Sequence, residues 1–105
     1  NPATYFEDMH KRAERDGLGP YLFKHRIYLR VLNKKYAFDE GKPIETIFHN
    51  DNLDEIRYKI QKGQKIGLDY YFKAVAYEFF GDDPDDKHTS TVRTYYYLAK
   101  KADKK

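Results

Sequence analysis

The sequence predicts a mainly α-helical fold, a small helical bundle that forms one domain over residues 1–105. Apolar residues recur every three or four positions in several segments, as in amphipathic helices, and glycines separate these segments. Hydrophobic residues make up 40% of the chain and aromatic residues 17%, which is enough for one compact core. We expect four or five helices, and Asp39–Lys42 is the one place where we consider a short β-hairpin.

The first predicted helix covers Ala3–Asp16. Asn1 is a favourable N-cap residue, and Pro2 suits the first turn because its missing N–H would be unpaired there in any case. Gly17 is a natural end, since glycine readily adopts the left-handed conformation that closes many helices. These features predict both boundaries of the element.

Residues 21–32 fit two patterns. Phe23, Ile27 and Val31 are four residues apart, which suits a helix, whereas Ile27, Leu29 and Val31 alternate with charged or polar residues, which suits a strand. Because no turn residue interrupts the segment, we interpret it as a helix.

A turn and a short helix are predicted in the middle of the chain. Asp39–Pro43 contains the Gly and Pro typical of turns, and Ile44–Phe48 is either a short strand or a first helical turn. The side chains of Asn50–Asn52 are expected to cap a helix over Leu53–Lys62, which ends at Gly63. The apolar stripe of this helix consists of Leu53, Ile56 and Ile60.

The C-terminal third is predicted to contain two amphipathic helices. The first covers Gly67–Phe80 and ends at Gly81. Thr89 or Ser90 is expected to cap the second, which covers Ser90–Lys101. The predicted buried residues are Leu68, Tyr71, Phe72, Val75, Ala76 and Phe79 in the first helix and Val92, Tyr95, Tyr96 and Ala99 in the second.

The composition excludes several classes of function. The chain has no cysteine, which excludes disulfides and thiolate metal sites. The four histidines lack ligand spacing, and the glycines separate elements instead of forming a phosphate-binding loop. We therefore expect no metal, no cofactor and no enzymatic activity. No apolar run approaches the roughly 18 residues of a membrane span. The absence of cysteine fits an intracellular protein, and we expect one, in the cytoplasm, nucleoid or nucleus.

A sharp change of charge marks the C-terminal segment. Residues 82–86 carry four aspartates, and residues 87–105 carry six Lys or Arg against one Asp, a net charge of +5. A basic, tyrosine-rich helix is one form that a nucleic-acid-reading helix takes. The candidate nucleic-acid-binding residues are Lys87, His88, Thr89, Ser90, Arg93, Thr94, Tyr97, Lys100 and Lys101.

These candidates suit different contacts. We expect Arg93, one turn into the helix, to reach a base edge, because arginine bonds guanine with two parallel hydrogen bonds. Lys100 and Lys101 suit phosphates, which position a protein without reading sequence. Thr and Ser at the helix start, with Lys87 and His88 nearby, suit a phosphate at the helix N-terminus. A solvated, lysine-rich helix end without a partner is the competing interpretation.

The same segment resembles a helix-turn-helix. Residues 74–81, AVAYEFFG, are similar to the first helix of such a unit, and residues 89–95, TSTVRTY, are similar to the start of its recognition helix. Glu78-Phe79-Phe80 followed by His88-Thr89 and Arg93 also resembles the last two helices of Myb-like domains. The resemblance covers residues 68–101 and implies sequence-specific binding of duplex DNA by the last helix, as in transcription, replication or chromatin-associated proteins.

A second basic cluster and the exposed tyrosines leave two alternatives open. The second basic cluster comprises Lys24, Arg26, Arg30, Lys34 and Lys35, interleaved with Tyr21, Tyr28 and Tyr36. Cations alternating with aromatic rings can bind single-stranded RNA, although the cations can also form the wet face of a helix. The other alternative is a protein-interaction or scaffold domain that uses an exposed aromatic patch. The tyrosines considered for that patch are Tyr70, Tyr71, Tyr77 and Tyr97.

Overall fold

Four α-helices occupy most of residues 19–103, the part of the chain that the computed structural model describes. Helix α1 spans Gly19–Asp39, α2 Leu53–Gln61, α3 Leu68–Phe80 and α4 Lys87–Asp103, and two 3₁₀ turns lie at Ile44–Thr46 and Asn50–Asn52. The mainly helical fold is thus confirmed. The helix predicted over Ala3–Asp16 lies outside the described residues.

The ambiguous segment is a helix, and α1 extends well beyond it. Ile27 and Val31 are fully buried, and Tyr28 is 8% exposed. Burial of the adjacent residues Ile27 and Tyr28 is incompatible with a strand that buries alternate side chains. The interpretation of residues 21–32 as helical is therefore confirmed.

The predicted turn after α1 does not form a hairpin. Gly41 has a φ of +80°, which glycine adopts without steric cost. The chain then enters the 3₁₀ turn at Ile44–Thr46, where the N–H of Ile47 donates to the carbonyl of Ile44 at 3.1 Å. Residues 19–103 contain no strand, so the expected hairpin at Asp39–Lys42 is a helix-to-turn connection.

Helix α2 starts where predicted but is capped differently. Asn52 makes no side-chain cap hydrogen bond, so the prediction that this amide caps α2 is wrong. Instead, Nδ1 of His49 accepts a hydrogen bond from the N–H of Asp51 at the start of the preceding 3₁₀ turn. Ile56 is fully buried, whereas Ile60 is 45% exposed and lies outside the core.

Helices α1, α3 and α4 build the core. Helix α4 packs against both α1 and α3, and the ring of Tyr96 lies 5.2 Å from the rings of Tyr28 and Phe72, between centroids. The α3 residues Tyr71, Phe72, Val75 and Ala76 are buried, as predicted. Gly81 ends α3 with a φ of +81°. No helix of residues 19–103 is both long and apolar enough to span a bilayer.

Candidate nucleic-acid interface

The buried face of α4 determines which of its side chains meet solvent. Val92 is fully buried, and Tyr96 and Ala99 are 2% and 7% exposed, which confirms three of the four residues predicted for this face. Tyr95 is half-buried and packs at the edge of this buried face. Because α1 and α3 cover this side of α4, the opposite side of the helix is open.

The open side of α4 carries five exposed residues that we call the α4 stripe: Lys87, Ser90, Thr94, Tyr97 and Lys101. They are three or four residues apart and therefore align along one side of the helix. At a rise of 1.5 Å per residue, its two lysines lie about 21 Å apart along the axis. Every member of the stripe is neutral or cationic, so the sequence-based candidates do include a coherent surface.

Helix α4 begins at Lys87, before the predicted cap. The carboxylate of Asp83 accepts hydrogen bonds from the N–H groups of His88 and Thr89, at 2.9 and 2.8 Å, and from the Thr89 hydroxyl at 2.9 Å. The prediction that Thr89 or Ser90 caps the helix is therefore wrong. The acidic loop supplies the cap from six residues upstream of Thr89.

This cap also removes a candidate phosphate site. A helix N-terminus attracts phosphate through free N–H groups, but the carboxylate of Asp83 already accepts from two of them. Asp83 and Thr89 are 3% and 6% exposed, so Thr89 faces the protein interior and not the open side. Burial raises the pKa of Asp83, and the hydrogen bonds from His88 and Thr89 outweigh that effect and hold it below its ordinary value.

Arg93 lies beside the stripe and pairs with an acid of α3. Its Nη2 is 3.1 Å from Oδ1 of Asp69. The two side chains are 46% and 73% exposed, so the pair contributes little to stability and opens readily. On the same flank, Nζ of Lys100 lies 5.9 Å from the centroid of the Tyr96 ring, close enough for a cation–π contact.

The remaining candidates on α4 make local contacts. The ring of His88 stacks on that of Phe80, with centroids 4.8 Å apart and an interplanar angle of 17°. The hydroxyls of Thr91 and Thr94 donate to the backbone carbonyls four residues earlier, at 3.1 and 3.0 Å. A donating hydroxyl keeps its lone pairs, so Thr94 on the stripe still offers an acceptor to a ligand.

Glu78 of α3 binds two members of the second basic cluster. Arg30 donates to both oxygens of this carboxylate, at 2.7 and 3.0 Å. Nζ of Lys34 lies 2.6 Å from the same carboxylate and donates to the carbonyl of Ile47 at 2.7 Å. Lys34 is 4% exposed. The expectation that Lys34 belongs to a solvent-facing cluster is therefore wrong. Its side chain connects α1 to α3 and to the segment between α1 and α2.

Burial and the contacts between Lys34 and Glu78 act in opposite directions on the pKa values of both side chains. Burial lowers the pKa of Lys34, and the contact with Glu78 offsets that effect only in part, while the nearby Arg30 lowers it further. Burial raises the pKa of Glu78, but the hydrogen bonds from Arg30 and Lys34 prevail and leave it below its ordinary value.

The other members of the second basic cluster lie over aromatic rings or at the boundary. Nζ of Lys24 is 5.4 Å from the centroid of the Tyr95 ring, and Cζ of Arg26 is 5.2 Å from that of Phe79. Lys35 is half-buried. Because Tyr95 belongs to α4, Lys24 places a cation of α1 along one flank of that helix.

The four tyrosines considered for a protein-binding patch differ in their exposure to solvent. Tyr71 is 4% exposed, so its expected exposure is wrong, and Tyr70 and Tyr77 are half-buried. Tyr97 is 49% exposed and lies on the α4 stripe. Tyr36 and Tyr58, at 61% and 57%, are more exposed but were not among the candidates.

Three acids that shape this surface were not singled out from the sequence: Asp69, Glu78 and Asp83. Glu78 lies among the apolar residues of α3, which was a usable indication that it has a buried partner. Asp83 lies among four aspartates, and nothing in their pattern tells the capping residue from the solvated ones. Asp69 contacts Arg93 across 24 positions of the chain, and a pairing between two helices leaves no local pattern.

Among residues 19–103, no group of three or more His, Cys, Asp or Glu side chains is arranged to hold a metal ion. No protein-family model, curated protein or solved structure matches this chain. The functional argument therefore depends on the geometry of the α4 stripe and its flanks.

Proposed function

We propose that this domain binds duplex DNA through the α4 stripe, with α3 and α4 acting as a helix-turn-helix-like pair in a transcription, replication or chromatin-associated protein. The observation that supports the proposal is the stripe itself, a solvent-facing row of neutral and cationic side chains along about four helical turns. The major groove of B-form DNA admits an α-helix, and lysines at the two ends of the row suit its phosphates.

In this proposal, side chains along α4 have separate roles. Lys87 and Lys101 contact phosphates, and Ser90, Thr94 and Tyr97 lie against the groove between them. Arg93 leaves Asp69 and donates to a guanine edge. Since a surface ion pair contributes little, exchanging Asp69 for a base edge is energetically feasible.

Lys24 extends the proposed surface onto α1. Its ammonium group lies over Tyr95 on the flank of α4, where it suits a phosphate of the strand beside the helix. Arg30 and Lys34, in contrast, are bound to Glu78. Because these two cations are already bound to Glu78 and Tyr28 is buried, single-stranded RNA binding by the second basic cluster is disfavoured.

A titration of labelled duplex DNA tests the proposal. Fluorescence anisotropy is measured for a mixed-sequence duplex and for single strands of the same length, in DNA and RNA, at three or more salt concentrations. We expect preferential binding of the duplex, with affinity that falls as salt rises because binding releases condensed counterions. Absence of binding at low salt, binding without a salt dependence, or equal affinity for single strands would contradict the proposal.

A separate experiment tests whether Arg93 gives the protein a preference for particular DNA sequences. A pool of random duplexes is selected with the wild-type protein and with Arg93→Ala. We expect the variant to lose the preference at one position of the selected site, equivalent to about 1–3 kcal/mol of discrimination. Lys101→Ala is the matched comparison, and it should weaken all sequences alike. An unchanged preference in Arg93→Ala would remove this residue from the reading role.

A protein partner is the second candidate, because Tyr97 and Leu98 are neighbours on α4 and are 49% and 48% exposed. Tyrosine is enriched in protein interfaces, and an exposed leucine beside it adds apolar area to such a patch. Leu98→Ser distinguishes the two, because Leu98 is exposed but lies outside the α4 stripe. It should leave most of the salt-dependent DNA affinity in place, whereas it should abolish binding to a protein partner.

A further inference from the structure

A cleft lies between α1, the segment 44–50 and α3, away from the α4 stripe. Its volume is about 270 Å³, and its walls include Lys34, Glu45, His49, Asn50, Tyr77 and Glu78. Glu78 lies on the side of α3 opposite Asp69, which pairs with Arg93 of α4, and no residue of α4 lines the cleft. The cleft is therefore a second surface feature, independent of DNA binding.

Lys34 places a partly satisfied ammonium group in the cleft wall. An ammonium has three N–H donors, and the carbonyl of Ile47 and the carboxylate of Glu78 accept two of them. The side chain is 4% exposed. Burial lowers its pKa despite the contact with Glu78, so a further negative charge nearby would stabilise the ammonium form.

The carboxylates of the cleft are already matched by cations outside it. Glu78 is held by Arg30 with two hydrogen bonds. Glu45, at the exposed rim, lies 2.9 Å from Nη2 of Arg57. Arg57 also pairs with Asp54, so this exposed group is net negative, whereas Arg30, Lys34 and Glu78 together carry one net positive charge.

The side chain of His49 also lines the cleft. Its ring stacks on Tyr77 with centroids 3.5 Å apart, which fixes its plane. Its Nδ1 accepts from the N–H of Asp51 at 3.1 Å, and a neutral imidazole that accepts at Nδ1 carries its proton at Nε2. The nearby carboxylate of Asp51, 3.6 Å from Nδ1, is too distant for a hydrogen bond to the ring.

We propose that the cleft binds a small anion, a carboxylate or a phosphate, through the ammonium group of Lys34 and the imidazole N–H of His49. The net positive charge of Arg30, Lys34 and Glu78, and the N–H of Lys34 that neither Ile47 nor Glu78 accepts, favour an anion over a neutral ligand. A volume of about 270 Å³ equals that of about nine liquid water molecules, which suits a phosphate or a short carboxylate and excludes a polymer chain from the interior.

An NMR titration tests the proposal. Backbone amide shifts of the full chain are followed during addition of inorganic phosphate, acetate or succinate, with chloride adjusted to keep ionic strength constant. We expect saturable shifts confined to residues 44–50 and 74–78, and the anion that saturates at the lowest concentration shows which chemistry the cleft prefers. Shifts that do not saturate, or that are spread over basic surfaces such as α4, would overturn the proposal.

Two variants and a matched control make the test specific. Lys34→Met should weaken anion binding at least about tenfold, since it removes a charge-assisted hydrogen bond, whereas the neighbouring Lys35→Met should leave it unchanged. If Lys34→Met does not fold, His49→Phe decides, because it keeps the stacking with Tyr77 and removes the donor. Equal binding by wild type and His49→Phe would then overturn the proposal.

A titration with a cation tests whether the cleft binds cations instead of anions. Glu45 and Glu78 also line the cleft, so methylammonium is added under the same conditions. We expect no saturable shift at residues 44–50. Saturation by methylammonium but not by the anions would overturn the proposal and make the cleft a cation site.

Discussion

Helix α4 and the second basic cluster resemble each other in sequence but differ in the structure. Both are helical segments rich in Lys or Arg and interleaved with tyrosines. In the second basic cluster, Glu78 binds Arg30 and Lys34, and Lys24 and Arg26 lie over aromatic rings. The lysines of the stripe face solvent. The density of basic residues thus gives less information about a binding surface than the position of acids on neighbouring helices.

The acids explain why the two regions differ. Glu78, near the end of α3, faces α1 and makes three contacts with cations at 2.6–3.0 Å. Asp69 reaches α4 only at Arg93, on an exposed flank. One region therefore uses its cations for packing, whereas in the proposed function the exposed lysines of the α4 stripe contact DNA.

The largest effect on stability is expected for Glu78→Ala. This change leaves the buried Lys34 without its carboxylate. Removing one member of a fully buried pair costs about 3–5 kcal/mol; since Glu78 is 37% exposed, we expect about 2–3 kcal/mol, measured by urea denaturation. Arg57→Ala, which breaks only exposed ion pairs, is the control and should change stability little.

A double variant separates loss of charge from loss of packing. Glu78→Leu/Lys34→Met replaces the ion pair by apolar side chains and should recover most of the stability that Glu78→Ala loses. If Glu78→Ala is no less stable than Arg57→Ala, the second basic cluster is not used for packing and the contrast with α4 fails.

A smaller loss of stability is expected for Asp83→Ala. The carboxylate of Asp83 accepts from two N–H groups at the start of α4 and from the Thr89 hydroxyl, and its loss leaves them unpaired. Thermal unfolding followed by circular dichroism should show a lower Tm than for Asp85→Ala, the matched variant in the same loop. Equal Tm values would show that Asp83 does not hold the start of α4.

The same carboxylates predict loss of stability in acid. The pKa values of Asp83 and Glu78 are below their ordinary values in the folded protein, so the stabilisation is complete above the unfolded-state values of about 4 and is lost as pH falls through the folded-state values. Urea midpoints measured from pH 6 to pH 2.5 should fall less steeply for Asp83→Asn/Glu78→Gln than for the wild type. Parallel curves would contradict these pKa directions.

The smallest effect is expected for Lys24, which lies between the two regions. If its ammonium group contacts a phosphate beside α4, Lys24→Gln should reduce the slope of log K against log salt by about 0.9 for duplex DNA. Lys35→Gln, at the other end of the second basic cluster, should not change the slope. Equal slopes for both variants would restrict the DNA surface to α4.

Much of the fold could be predicted from the sequence, because it depends on local patterns. The periodicity of α3 and its end at Gly81 agree with the structure, and the buried face of α4 was placed almost completely. The sequence did not predict the burial of Lys34 or the capping role of Asp83. Both depend on contacts between elements, and a lysine whose partner lies 44 positions away has the same local pattern as a solvated one.

The salt dependence of duplex binding by charge variants tests most directly the claim that the α4 stripe contacts the phosphates of duplex DNA. The slope of log K against log salt is compared for the wild type, Lys87→Gln/Lys101→Gln and a matched double variant of α2, Lys59→Gln/Lys62→Gln. We predict that the stripe variant loses about 1.8 from the slope, the contribution of two phosphate contacts, while the α2 variant keeps the wild-type slope. Equal slopes in all three proteins, or no binding by the wild type at low salt, would contradict the claim.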